Sequence, residues 1–143
     1  MSIIEKAISI ALEAHKGQVD KAGNAYILHP LRVMFQMDTD DEMIVAILHD
    51  VIEDTDITFD YLKDQGFSKT VLASIEALSR RREESYSDFI RRVGSHPIAI
   101  KVKQADLIDN MNLSRIKKIT EKDFMRMRKY SEALTILRRW KKI

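Results

Sequence analysis

Apolar residues recur at three- and four-residue intervals along nearly the whole chain, and only four glycines and two prolines interrupt them. A chain of 143 residues patterned this way predicts stacked amphipathic helices, not a set of short strands. The spacing predicts helices over about 2–16, 30–37, 59–65, 68–80, 86–94, 97–113 and 121–140. A further helix opens at Asp40-Asp41-Glu42, with acids where the helix dipole favours them, and runs to a turn at Asp56–Thr58. Residues 17–27 break the pattern and read as a loop, and Pro30 suits a first helical turn. The expectation is an all-α fold, a single compact helical bundle over residues 1–143.

Composition narrows the chemistry. Hydrophobic residues make up 45% of the chain, enough for a buried core. There is no cysteine, which excludes disulfides and thiolate metal sites and leaves His and carboxylates as the metal-binding side chains. It also fits a cytoplasmic, reducing location. The first helix carries Glu5, Lys6 and Glu13 and does not read as a signal peptide, and no apolar run is long enough to span a bilayer. Residues 114–143 hold eleven basic against three acidic residues. That excess reads as a solvated helix face. The aromatic-plus-basic platform of a single-strand binder is not evident, which argues against a nucleic-acid partner. Homo-oligomerisation is left open.

The stretch from Ala46 to Thr55, AILHDVIEDT, holds four ionisable groups in an otherwise apolar helix. His49 stands four residues from Glu53 and Asp50 four from Asp54, so each pair is expected to stack on one helical face. An isolated His-Asp dipeptide is also compatible with a solvated helix end. Here, however, His29 follows from a second helix and Asp106 and Asn110 from a third. Two His and two Asp form a donor set for a borderline or hard divalent ion. In an octahedral ion, four protein ligands leave room for a water and a substrate oxygen.

Three segments carry a resemblance. HKGQVDKAGNAYILHPLRV (residues 15–33), ILHDVIEDT (47–55) and VKQADLIDN (102–110) resemble, in order, the three signatures of the hydrolase domain of the RelA/SpoT stringent-response enzymes. The resemblance implies the HD-domain fold and removal of pyrophosphate from the 3′ position of guanosine tetra- or pentaphosphate (ppGpp), with manganese as cofactor. It implies His29, His49, Asp50 and Asp106 as metal ligands and Glu53 and Asp54 as the catalytic acids. Asn110 then contacts the nucleotide, and Lys21, with Lys16 beside it, meets the phosphates. The length is that of the stand-alone small alarmone hydrolases. Three positions depart from the family: Asp20 precedes Lys21 where a basic residue is common, Ala25 replaces a proline, and Leu107 replaces a basic residue. These departures keep a second substrate open, another nucleotide or purine alarmone, and a nucleotide sensor is a further alternative.

Other residues read as structural. His15 is expected to cap or pack the first helix, and Tyr26 to be a core aromatic with its hydroxyl at the rim. Arg32 can face either the cleft or the surface. Asp109 reads as a solvated helix residue and 80–84 (RRREE) as an exposed loop, with phosphate binding by its arginines as the alternative. Met34, Met37, Met43, Met111, Met125 and Met127 read as core filler, and Trp140 as packing the last helix onto the bundle.

Overall fold

A computed structural model describes the backbone of residues 1–141 and the side chains of residues 1–139. Trp140, expected to pack, lies outside the described side chains. Nine α-helices and one 3-10 turn are present among the described residues, with no strand. α1 spans Ile3–Ala14, α2 Leu28–Phe35, α3 Asp40–Leu48, α4 Val51–Asp54, α5 Phe59–Asp64, α6 Lys69–Ala77, α7 Tyr86–Val93, α8 Pro97–Asn110 and α9 Glu121–Lys141.

The starts of the helices are written locally. Ser2 with Glu5, and Thr39 with Glu42, form reciprocal capping boxes on α1 and α3. Thr58, Ser68 and Ser85 cap α5, α6 and α7 through their hydroxyls. Gly66, just past α5, takes φ +89°, a conformation that closes a helix cheaply only without a Cβ. α2 starts two residues before Pro30 because the first-turn N–H groups have no intrahelical acceptor, so a proline there loses nothing.

α3 is the axis of the molecule. Ile44, Val45, Ala46, Ile47 and Leu48 are all buried, because α1, α2, α6 and α8 pack around it. Full burial of each large aliphatic side chain contributes roughly 1.5–3 kcal/mol. α8 lies against α2 and α3 on one side and α7 and α9 on the other. This arrangement sets the inner faces of α2 and α8 against the C-terminal end of α3.

The expected continuous helix through His49 and Asp50 does not form. In an unbroken helix the Ala46 carbonyl would take the Asp50 N–H. Instead it accepts from the His49 backbone N–H at 3.4 Å and from His49 Nδ1 at 2.6 Å. Asp50 leaves helical geometry (φ −121°, ψ 9°), and α4 restarts as a single turn. The stacking of His49 over Glu53 on one continuous strip is thereby lost. α6 and α8 also end earlier than expected, and Leu113–Arg115 form the 3-10 turn. Of the methionines, Met34 and Met37 are core, whereas Met125 is 69% exposed and packs no core.

Candidate metal centre

Four side chains expected from the sequence to act together do converge. α2 supplies His29, the α3–α4 break supplies His49 and Asp50, and α8 supplies Asp106, all buried. His29 Nε2 is 2.8 Å and His49 Nε2 3.3 Å from the same oxygen, Asp106 Oδ1. His49 Nε2 is 3.8 Å from Asp50 Oδ2. Ligand atoms of His29, His49 and Asp50 all fall within 4.8 Å of one another, a group able to hold a metal ion.

The far side of each imidazole decides its tautomer. His49 Nδ1 faces the Ala46 carbonyl, which can only accept, so Nδ1 carries the proton. His29 Nδ1 is 2.6 Å from Asp109 Oδ2 and donates in the same way. In the neutral rings, both Nε2 lone pairs then point at a carboxylate oxygen. Two lone pairs and two carboxylates meeting in a buried space repel unless a cation lies between them. Protons fill that role when no metal is bound. Burial opposes charging of His49, but Asp50 and Asp106 outweigh it and hold its pKa up at about 9. Burial likewise opposes ionisation of Asp106, and Lys103 and His49 overcome it. The nitrogen and oxygen donors fit a divalent cation, and the orienting partners behind them are those expected of metal-binding histidines.

Several surrounding residues position these four. Asp50 Oδ1 lies 3.2 Å from His15 Nε2, and the Tyr26 hydroxyl donates to Oδ2. His15 thus packs behind the centre, with Gln18 on its other nitrogen at 2.9 Å. Tyr26 turns inward instead of to the rim, and burial together with Asp50 pushes its pKa up. Asp109 corrects the expectation of a solvated residue. It is largely covered, orients His29, and accepts from Arg32 Nε at 2.8 Å and from its terminal nitrogen at 3.1 Å. Lys103 was not singled out by the sequence, although its i,i+3 spacing from Asp106 on α8 was the available signal. Its Nζ is 2.9 Å from Asp106 Oδ2. Asn110 donates to Asp106 Oδ1 at 3.1 Å.

Glu53 and Asp54 stand at the exposed rim beside the centre. Glu53 accepts from the Arg80 backbone N–H, which draws that carboxylate toward the loop after α6. Burial raises the pKa of both acids, with Asp54 adding to the effect on Glu53 and Asp50 to that on Asp54. A cavity of about 350 Å³ opens on the His29 side, lined by Lys21, Tyr26, Arg32, Asn110, Arg126 and Tyr130 among others. Lys16 is exposed and lies outside that lining. Asp20 serves the loop: its Oδ1 accepts from the Ala22 and Asn24 backbone N–H groups at 2.9 Å each.

The all-helical fold and its buried His/Asp cluster define an HD-type domain with a centre suited to a divalent metal. No family model matches the chain. A guanosine-3′,5′-bis(diphosphate) 3′-pyrophosphohydrolase from Aquifex aeolicus is 32% identical over 120 residues, covering 76% of this chain and 17% of its own length. The bifunctional (p)ppGpp synthase/hydrolase SpoT of Escherichia coli is 32% identical over 123 residues, with the same coverage of both. The chain therefore spans less than a fifth of the length of these curated relatives. A solved structure of a metazoan SpoT orthologue, described as hydrolysing ppGpp and acting in starvation responses, superposes with a TM-score of 0.77. It covers 96% of this chain and 85% of its own at 18% identity. The chain is homologous to the HD domain of the RelA/SpoT proteins.

Proposed function

We propose that this chain is a manganese-dependent hydrolase that removes the 3′-pyrophosphate of guanosine tetra- or pentaphosphate. The observation that carries the reading is the convergence of His29 and His49 Nε2 on Asp106 Oδ1, beside Asp50 and at the wall of a cationic cavity. The activities named for the Aquifex and Escherichia coli relatives support it. His29, His49, Asp50 and Asp106 are the residues that would hold the ion. When bound, a divalent cation lowers the pKa of water and polarises a phosphoryl oxygen.

The chain's own groups do the rest. Glu53 or Asp54 takes the proton of the attacking water, and their raised pKa values suit a base that must later release it. The water oxygen bonds to the phosphorus on the 3′ oxygen, that P–O bond breaks, and the 3′ oxygen takes up a proton. Pyrophosphate and the nucleoside 5′-diphosphate or triphosphate are the products. Asn110 borders both Asp106 and the cavity and contacts the nucleotide, while Lys21 on the cavity wall neutralises phosphate charge.

A second reading is an HD-type phosphohydrolase acting on another nucleotide. It is favoured by Leu107, which is fully buried in the core at a position where the resemblance leads one to expect a base. No described helix is long and apolar enough to cross a membrane. The proposal places one hydrolase domain over residues 1–143 in the cytoplasm, needs no nucleic acid, and holds for a monomer or a homo-oligomer. The test is manganese-dependent turnover of ppGpp by purified protein, with phosphate and pyrophosphate quantified separately. Stoichiometric pyrophosphate and GDP are expected. Release of orthophosphate alone, or turnover of a different nucleotide only, would overturn the assignment.

A further inference from the structure

The proposed catalytic acids sit on a weakly anchored piece of backbone. α4 is a single turn, Val51–Asp54, cut off from α3 by the break at His49-Asp50. Its own hydrogen bonds are few: the Asp54 and Thr55 backbone N–H groups donate to the carbonyls of Asp50 and Val51 at 3.0 and 3.1 Å. A turn this short has little stability of its own, and the carbonyls at its end find no donor within the helix. The Asp54 carbonyl is one of these. It accepts from the side-chain amide of Gln18, which arrives from the loop after α1 and places Nε2 2.9 Å away.

Gln18 makes more than this one bond. A backbone carbonyl can only accept, so the amide nitrogen of Gln18 faces Asp54 and Oε1 faces the other way. Oε1 lies 2.9 Å from His15 Nδ1, which therefore carries a proton and donates it. That bond fixes the buried His15 ring with Nε2 3.2 Å from Asp50 Oδ1. The main chain of Gln18 serves the other oxygen of the same carboxylate. Its carbonyl accepts from the Tyr26 backbone N–H at 2.9 Å, and the Tyr26 hydroxyl donates to Asp50 Oδ2. Gly17, at φ +85°, allows the tight turn after α1 that brings the Gln18 N–H to the His15 carbonyl at 3.0 Å. Both oxygens of Asp50 and the end of α4 are thus held in place through one residue.

We propose that Gln18 is a positioning residue that fixes the acids of α4 relative to Asp50. On the hydrolase reading above, which this inference deepens, the attacking water must lie within hydrogen-bond reach of Glu53 or Asp54 while the Asp50 carboxylate helps to hold the ion. The spacing between those groups then governs the rate, and a misplacement of about 1 Å costs on the order of a hundredfold. A single turn next to a helix break is free to shift as a unit, and Gln18 braces it from outside. The accepting end of its amide acts on Asp50 through His15. The donating end acts on the acids through the Asp54 carbonyl. Because the two ends have opposite polarity, they can be cut separately.

The test compares two variants of the full chain with the parent. Gln18→Leu removes both ends of the brace. Gln18→Glu keeps an acceptor for His15 and loses the donor to Asp54. In the metal-free protein, nitrogen-15 NMR of the His15 ring reads the first end, and amide hydrogen exchange at Asp54 and Thr55 reads the second. Exchange at those two amides is expected to accelerate roughly fivefold to tenfold in both variants, the scale of one hydrogen bond, while the buried amides of α3 stay within about twofold. The His15 Nδ1 signal is expected to keep its parent pattern in Gln18→Glu and to move in Gln18→Leu. With manganese and ppGpp, kcat should fall roughly tenfold in Gln18→Glu and about a hundredfold in Gln18→Leu, with KM within about twofold in both. Manganese affinity should fall only in Gln18→Leu, by about threefold to tenfold. Parent-like exchange at Asp54 and Thr55 in both variants overturns the proposal. So does acceleration shared equally by α3, which is the mark of a general loss of stability, or a parent-like kcat in a variant whose α4 amides have loosened. A parent that does not hydrolyse ppGpp counts against the hydrolase reading alone, because the exchange and His15 signals still decide whether Gln18 holds α4 and Asp50 together.

Discussion

Two polar constellations in this molecule, one half-buried and one buried, are built on opposite principles. Around Arg92, each of the three guanidinium nitrogens meets an acceptor. Its guanidinium forks onto both oxygens of Glu84 at 2.8 Å and also donates to the carbonyls of Glu76 and Ser79 at 3.1 and 2.9 Å. The clamp ties the end of α6 to α7 through the intervening loop and asks for nothing more. Around Asp106, two imidazole nitrogens and two carboxylates face one another with their outer atoms already committed. Charge is left over that only protons or a metal can settle. A saturated ion pair stabilises a fold. A cluster oriented from behind and unsatisfied in front binds something.

The largest effect expected from breaking this contrast comes from Asp106→Ala. It removes the atom on which both histidines converge and leaves Lys103 without its partner. Manganese content by elemental analysis should fall to background and ppGpp turnover by at least about a thousandfold. Glu53→Gln should separate the two roles of the centre. Metal content is retained, while turnover drops roughly a hundredfold to ten-thousandfold, the usual worth of a positioned base. Equal turnover in parent and variant would leave Asp54 as the base.

On the other side of the comparison, Arg92→Ala should cost about 2–4 kcal/mol in urea unfolding, because Glu84 and two carbonyls lose their donors together. Metal content should not change, and a loss of metal there would erase the distinction drawn between the two sites. Asp109→Asn is a milder perturbation of the centre. The amide still accepts from Arg32 but no longer anchors the His29 Nδ1 proton with a charge, so manganese affinity by chelator competition should fall about tenfold to a hundredfold.

The smallest effect is on the acid limb of stability. Hydrogen bonds from Arg92 hold the Glu84 carboxyl down at about 2, below its value in an unfolded chain. A carboxylate depressed by folding contributes stability that is fully present above about pH 4.5 and disappears as pH falls through about 2. Glu84→Gln should therefore be less stable than the parent near neutrality, and the two should converge as the solution is acidified toward pH 2. Parallel stability curves across that range would remove the ionised pair from the account.

Much of this was legible in the primary structure. The helical fold, the acidic start of α3, Pro30 in the first turn of α2 and the four converging residues all follow from local spacing or from resemblance. The break at His49-Asp50 was not, because a side chain that takes a carbonyl from its own helix leaves no mark in hydrophobic periodicity. Asp109 looked solvated because its partners, His29 and Arg32, lie 80 and 77 residues away.

The sequence by itself determined which segments coil, where they start and which residue types are available for chemistry, because helix propensity, capping and periodicity act over a few residues. Only the tertiary structure decided which nitrogen of each histidine faces Asp106 and which acids are neutralised. Those outcomes depend on distances between side chains that the chain brings together from α2, α3 and α8, and electrostatics in a buried space is governed by those distances.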